Sequence, residues 1–277
     1  MCLTRETRFS IKVNLLGEKR LISNELMMDS LVMSVSSKEY RVSISWSDSI
    51  SQNCDSPDGY LTNPSAKAKA SVNLGFSSLI SSRFCANDLN DKLEHYTQND
   101  FFKGLRHIVQ DEEDDFFMLR DDFQQGISQL QKFDLTYDIL IYPKQFEAAI
   151  ALTQNFRNQY FVLDHFGKPQ YNLPIDMNWA EQIEQLADQP KVYCKLSGIF
   201  TEIQTKPWQM EQILPYLDHV VRCFGMDRLL YGSDWPVCLL SSNFNDHLDL
   251  LKSYFSLSDR KEIEKVFSTN CIHFYDL

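Results

Sequence analysis

Five apolar runs in this chain end in side chains able to do chemistry. KGLRH closes on Arg106 and His107, TYDILIY carries Asp138, and FVLDH closes on Asp164 and His165. VYCKLS carries Lys195 and Ser197, and LLYGSDW closes on Ser233, Asp234 and Trp235. A carboxylate ending an apolar strand is costly unless water, a cation or hydrogen-bond donors meet it. Asp234 is therefore the first candidate for a functional site. A neutral imidazole at His165 can polarise a carbonyl or bind a divalent ion, with its second nitrogen held by an orienting partner. Arg106 offers a planar fork to a carboxylate or to sugar hydroxyls. Adjacent strand residues face opposite ways, so at most one of Arg106 and His107 enters a common site while the strand lasts. Lys195 and Ser197 share one strand face. A lysine there needs an anionic partner, from an acidic substrate or a carboxylate. Trp235 can stack on a ring or simply fill a core, and Asp138 can be a polar group that stabilises a layer.

These residues need elements to hold them. Strand-like runs fall at Phe102–Val109, Tyr137–Tyr142, Tyr160–His165, Val192–Ser197 and Leu229–Ser233. Helical patterns lie between them at Arg120–Phe133, Pro143–Phe156, Trp179–Asp188 and Pro207–Phe224. Pro143 and Pro207 stand where a first helical turn accepts proline. The spacing suits βα units, and near-continuous apolar strands predict a parallel sheet buried on both faces. An open doubly wound sheet and a barrel both meet that description. Polar residues at the C-terminal ends of successive strands favour the barrel, and no glycine-rich phosphate loop follows any strand.

The chain has 277 residues and a formal net charge of −11, with 27 basic against 38 acidic residues. That length suits one large α/β domain, and an acidic surface argues against nucleic acid or an anionic membrane as partner. No apolar run approaches the roughly 20 residues of a membrane helix, so a cytoplasmic protein is expected. A homo-oligomer is compatible with all of this. Seven cysteines without CxxC spacing suggest neither a disulfide framework nor a cysteine zinc site. The average hides a split: residues 1–82 hold 18 serines and no histidine, whereas residues 83–277 hold 9 serines and all six histidines. The expected organisation is an atypical Ser-rich segment over 1–82, with short strand-like pieces at Tyr40–Trp46 and Ser71–Ile80, and a barrel portion over 83–277. Histidines 95, 219, 247 and 273 fall in helical patterns and are expected to be structural.

LDHFGKP (Leu163–Pro169), VYCKLSG (Val192–Gly198) and DRLLYGSDWPVCLL (Asp227–Leu240) together resemble the amidohydrolase-related proteins of the sugar-lactonase type. GLRHIVQDEED, TYDILIYPKQ and the ending NCIHFYDL fit the same group, over roughly residues 83–277. The resemblance implies a distorted (β/α)8 barrel, the five strands being its fourth to eighth. It implies hydrolysis of an L-fucono-, L-rhamnono- or related lactone, often with one divalent, zinc-like metal. On this resemblance Asp234 takes the proton of the attacking water, His165 polarises the carbonyl, and both can ligate metal. Arg106, His107, Lys195, Ser197 and Trp235 would bind the substrate. The family's first strand carries a His-x-His pair, and three further βα units would occupy residues 1–100. This chain has no histidine before His95, and the corresponding stretch Phe9–Leu16 offers no substitute. The alternative expectation is therefore a catalytically impaired pseudoenzyme or binding scaffold.

Overall fold

The computed structural model describes residues 11–15, 18–22, 40–41, 89–100, 102–171, 173–203, 208–234 and 237–277. Trp235, Ser71–Ile80 and all but the first two residues of Tyr40–Trp46 lie outside the described residues. The chain divides into two units, Met1–Thr62 and Asn63–Leu277.

In the first unit, β1 (Ile11–Leu15) pairs antiparallel with β2 (Glu18–Ile22) and with β3 (Tyr40–Arg41). Of the stretch Phe9–Leu16, expected as the first barrel strand, the described residues Ile11–Leu15 lie in this antiparallel sheet. The register explains why: Leu15 pairs with Glu18, a separation that permits a hairpin, whereas a parallel neighbour needs a crossover of a dozen or more residues.

The second unit is built of βα units. β4 (Gly104–His107), β5 (Thr136–Ile139), β6 (Phe161–Leu163), β7 (Val192–Leu196) and β8 (Leu229–Tyr231) form one parallel sheet in chain order. That is the order of consecutive barrel strands, and among the described residues β4 and β8 are its edges. α1 (Leu89–Tyr96) precedes the sheet, and α2 (Asp121–Leu130), α3 (Phe146–Asn155), α4 (Met177–Ala187), α5 (Ile199–Glu202) and α6 (Met210–Phe224) lie between the strands. α7 (Phe244–Tyr254), α8 (Arg260–Glu264) and α9 (Asn270–Phe274) follow β8. Local chemistry sets several boundaries. Asp176 caps α4 by accepting from the Asn178 and Trp179 amides, and Asn243 caps α7 by accepting from Asn245 and Asp246. No helix among the described residues is long and apolar enough to cross a membrane.

Strand alternation divides the sheet into two chemically different faces. Leu105, Tyr137, Ile139, Phe161, Leu163, Val192, Cys194, Leu196 and Leu229 point into the large core shared with α2, α3, α4 and α6. Val162, Tyr193 and Leu230 point the other way and form a small cluster with Phe274 and Tyr275 from the chain's end. The register places Arg106 beside Asp138, and Lys195 beside Leu230. The second face is therefore where the charged residues of the strands gather.

Candidate active site

β6 ends where the chain turns left-handed. His165, Phe166, Gly167 and Lys168 have φ of 54°, 58°, 67° and 55°. Such values cost non-glycine residues about 1–3 kcal/mol each and concentrate where surrounding structure dictates a functional geometry. Two contacts fix this turn. The Trp179 indole donates to the Phe166 carbonyl at 2.9 Å, and a Cβ on Gly167 would lie 2.3 Å from the Phe146 ring. Asp234 is a second left-handed residue, φ 54°, just beyond β8. The two turns bring His165 Nε2 to 3.6 Å from Asp234 Oδ1.

Ser197, one residue past β7, lies with its hydroxyl 2.8 Å from His165 Nδ1. When the hydroxyl donates to Nδ1, Nε2 carries its proton toward Asp234. When Nδ1 donates to Ser197 instead, Nε2 presents a lone pair. Gly198 follows in a left-handed conformation (φ 65°), and an added Cβ would meet the His165 ring at 2.7 Å. Gly198→Ala is therefore expected to cost about 1–3 kcal/mol of stability through backbone strain alone and to push the imidazole off Ser197. Thermal unfolding and the His165 ring resonances check this. An unmoved imidazole and an unchanged melting curve would refute the packing argument.

A network of four charges lies behind this pair. Arg106 Nη1 donates to Asp164 Oδ2 at 3.1 Å. Lys195 Nζ lies 2.5 Å from Asp138 Oδ2 and 2.9 Å from Asp164 Oδ1. The Tyr275 hydroxyl donates to both Asp138 oxygens at 2.9 and 3.0 Å. Asp164 is fully buried, and burial alone would raise its pKa, but the cations of Lys195 and Arg106 hold the carboxyl well below its usual range. Asp138 goes the other way: burial raises it, and Lys195 offsets that only in part. Burial would lower Lys195, but Asp138 and Asp164 outweigh it and keep the amine firmly charged. Among the described residues, buried Arg106 Nε has no hydrogen-bond partner.

His165 and Asp234 are tuned in opposite directions. Burial pushes Asp234 up to about 7, with Asp164 adding to the effect and Lys168 and Arg106 opposing it. Burial pulls His165 down to about 3, against the attraction of Asp164. At neutral pH the imidazole is uncharged and the carboxyl is poised between its two forms, the condition suited to proton transfer.

The structure thus brings Arg106, His165, Lys195, Ser197 and Asp234 together. It does not bring His107, which faces the other way: His107 Nε2 lies 2.6 Å from Glu112 Oε1, and its ring stacks on Phe117 at 4.9 Å. Alternation along β4 is the reason, and the acidic run after the strand supplies the partner. Ser197 touches His165, and Lys195 is held by two carboxylates. Asp164 and Tyr275 belong to the network, although the sequence assigned no role to Asp164 and did not mark Tyr275. Asp164 was legible as the residue beside His165, whereas Tyr275 lies 137 residues from Asp138 with no local signal. For a divalent ion, His165 Nε2 and Asp234 Oδ1 are spaced as two ligands would be, but among the described residues no third ligand atom converges on them. Catalytic zinc usually has three protein ligands, so the described set does not fit a complete metal centre.

The profile of the Amidohydrolase family matches residues 83–277. Over 178 residues the chain is 33% identical to an L-fucono-1,5-lactonase from Burkholderia ambifaria, covering 63% of this chain and 61% of that protein. It is 25% identical over 163 residues to an L-rhamnono-gamma-lactonase from Scheffersomyces stipitis, covering 52% and 48%. The chain therefore spans less than two thirds of the length of these curated relatives. Among solved structures, a zinc-bound amidohydrolase from Burkholderia multivorans is similar with a TM-score of 0.66 and 30% identity, over 70% of this chain and 71% of that one.

Proposed function

Because the chain belongs to the Amidohydrolase family, we propose that it hydrolyses a sugar-acid lactone, with Asp234 as general base. The observation that carries this reading is the opposed tuning of two residues 3.6 Å apart, a neutral His165 and an Asp234 titrating at about 7. Ionised Asp234 takes a proton from water as its oxygen bonds to the lactone carbonyl carbon. The His165 Nε2–H, with Ser197 donating to Nδ1, and the Arg106 guanidinium donate to the oxyanion that forms. The orphan Arg106 Nε–H supports this, since a buried N–H is costly until an acceptor meets it. The tetrahedral centre then collapses, the ring C–O bond breaks, and Asp234 returns the proton to the leaving alkoxide. The product is the open hydroxy acid. Lys195 fixes Asp138 and Asp164, and through Asp164 it holds Arg106.

No step is routed through a metal, because the described residues supply two ligands. The similarity to an L-fucono-1,5-lactonase and an L-rhamnono-gamma-lactonase makes an aldonolactone the substrate class to test.

With Asp234 as base, kcat/KM for an aldonolactone is expected to rise about tenfold per pH unit below pH 7 and to level above it. A pH-stat assay, corrected for spontaneous opening, measures this. A rate independent of pH between roughly 5 and 9 would sink the assignment of Asp234 as the base. A second reading, a scaffold that binds lactones without turnover, is favoured by the lack of any histidine before His95. Tight binding of a lactam analogue with no lactone hydrolysis would select it.

A further inference from the structure

Beyond the reacting pair, three strand-to-helix connections meet at one spot. Lys168 closes the left-handed turn after β6, Glu202 ends α5 after β7, and Tyr142 follows β5. Lys168 Nζ lies 3.1 Å from Glu202 Oε1, their side chains 13% and 19% exposed. The ammonium also sits 5.0 Å from the centroid of the half-open Tyr142 ring. Geometry ties this ion pair to His165 from both sides: Lys168 caps the turn that holds His165, and Glu202 ends the helix that Gly198 begins against the His165 ring.

The geometry points to a polyol-recognition subsite, in which Lys168 and Glu202 grip two neighbouring hydroxyls of the lactone while Tyr142 covers a face of the ring. This inference rests on the lactonase reading and narrows its substrate class. An ammonium has three N–H donors, and Glu202 uses one. Glu202 in turn keeps acceptor capacity beyond the Lys168 contact. A hydrogen-bonded donor and acceptor stand roughly 3 Å apart, about the separation of oxygens on adjacent ring carbons, so one hydroxyl can accept from Lys168 while its neighbour donates to Glu202. The aromatic face suits the C–H side of a sugar ring. The pair is neutral as a whole, and Glu202 opposes a carboxylate at this position. A ring carrying hydroxyls satisfies both partners, whereas an unsubstituted lactone covers the pair and replaces nothing, and a site built for hydroxyls rejects analogues lacking them.

The test compares a polyhydroxylated aldonolactone with unsubstituted δ-valerolactone, using the parent, Lys168→Met and Glu202→Gln. The expected result is a parent that strongly prefers the aldonolactone, with each variant lowering that ratio of kcat/KM by roughly 10- to 100-fold. The ratio is internal to each protein, so partial unfolding of a variant cancels. Calorimetric binding of the corresponding polyhydroxylated and unsubstituted lactams separates the two ideas. Hydrolysis of both lactones with an unchanged ratio overturns the subsite and leaves the catalytic reading standing. Lactam binding that needs both the hydroxyls and Lys168, without hydrolysis of any lactone, upholds the subsite and overturns the catalytic reading. Neither binding nor hydrolysis overturns both.

Discussion

Asp234→Asn is expected to slow lactone hydrolysis by about 10² to 10⁴-fold, the usual cost of removing a proton-transfer group. The amide keeps the size and most of the contacts of the carboxyl but cannot take the proton of the attacking water. Stability should move the opposite way. Asp234 is raised to about 7 when folded, against an ordinary value of about 3.9. A group raised in this way favours the folded state below its unfolded value, and that contribution is lost as pH rises through the folded one. At pH 8 the ionised carboxylate therefore works against folding, by on the order of 4 kcal/mol. The asparagine variant should melt higher than the parent at pH 8, and the gap should close toward pH 5. Paired activity and melting measurements check both halves. Loss of activity together with a lower melting temperature at pH 8 would mean that Asp234 holds the structure together instead of being strained by it.

Lys195→Met is expected to cause the largest loss of stability, about 3–5 kcal/mol. Lys195 stands between Asp138 and Asp164, both buried, and forms an ion pair with each at 2.5 and 2.9 Å. Methionine fills similar volume but leaves two carboxylates sharing a low-dielectric space with, among the described residues, Arg106 and the Tyr275 hydroxyl to answer them. Removing one partner of a buried ion pair is costly because the other charge stays behind. For a unit of this size the loss corresponds to a fall in melting temperature on the order of 10 °C. The double variant Lys195→Met with Asp138→Asn removes one of the stranded charges and should recover part of the loss, a coupling of about 0.5–3 kcal/mol. Strictly additive effects of the two substitutions would show that the pair is not energetically linked, whatever the distance between its atoms.

Much of the second unit was legible from sequence. All five strands lie inside the runs read from apolar patterning or within one residue of them: β7 spans Val192–Leu196 in a run read as Val192–Ser197, and β5 begins one residue early at Thr136. Burial on both faces leaves such strands apolar and bounded by polar ends. The helices were equally plain, with Phe123, Ile127 and Leu130 of α2 buried at helical spacing. The left-handed turn at His165–Lys168 was not legible, since Phe166 and Lys168 rarely adopt that conformation and the lone Gly167 and the mild tendency of histidine do not specify a run of four. It is imposed by Phe146 and Trp179, which are distant in sequence. The first unit was the least legible: Phe9–Leu16 was named only as the counterpart of the family's first strand, and the antiparallel pairing of Ile11–Leu15 had no signal in the sequence.

What the sequence determined by itself was the inventory and its placement in order along the sheet. Asp138, His165, Lys195 and Asp234 stand at or near the C-terminal ends of successive strands because hydrophobic patterning fixes where each strand runs. The family followed from the same motifs. What only the tertiary structure decided was partnership. That Lys195 answers Asp138 and Asp164, that Ser197 orients His165, that Tyr275 reaches Asp138 from the end of the chain, and that Lys168 meets Glu202 beside Tyr142 are all contacts between separate elements. The physical reason is that strand patterning is a local hydrophobic preference, whereas the identity of a buried charge's partner depends on which side chains the sheet register and the turn geometry bring within a few ångströms.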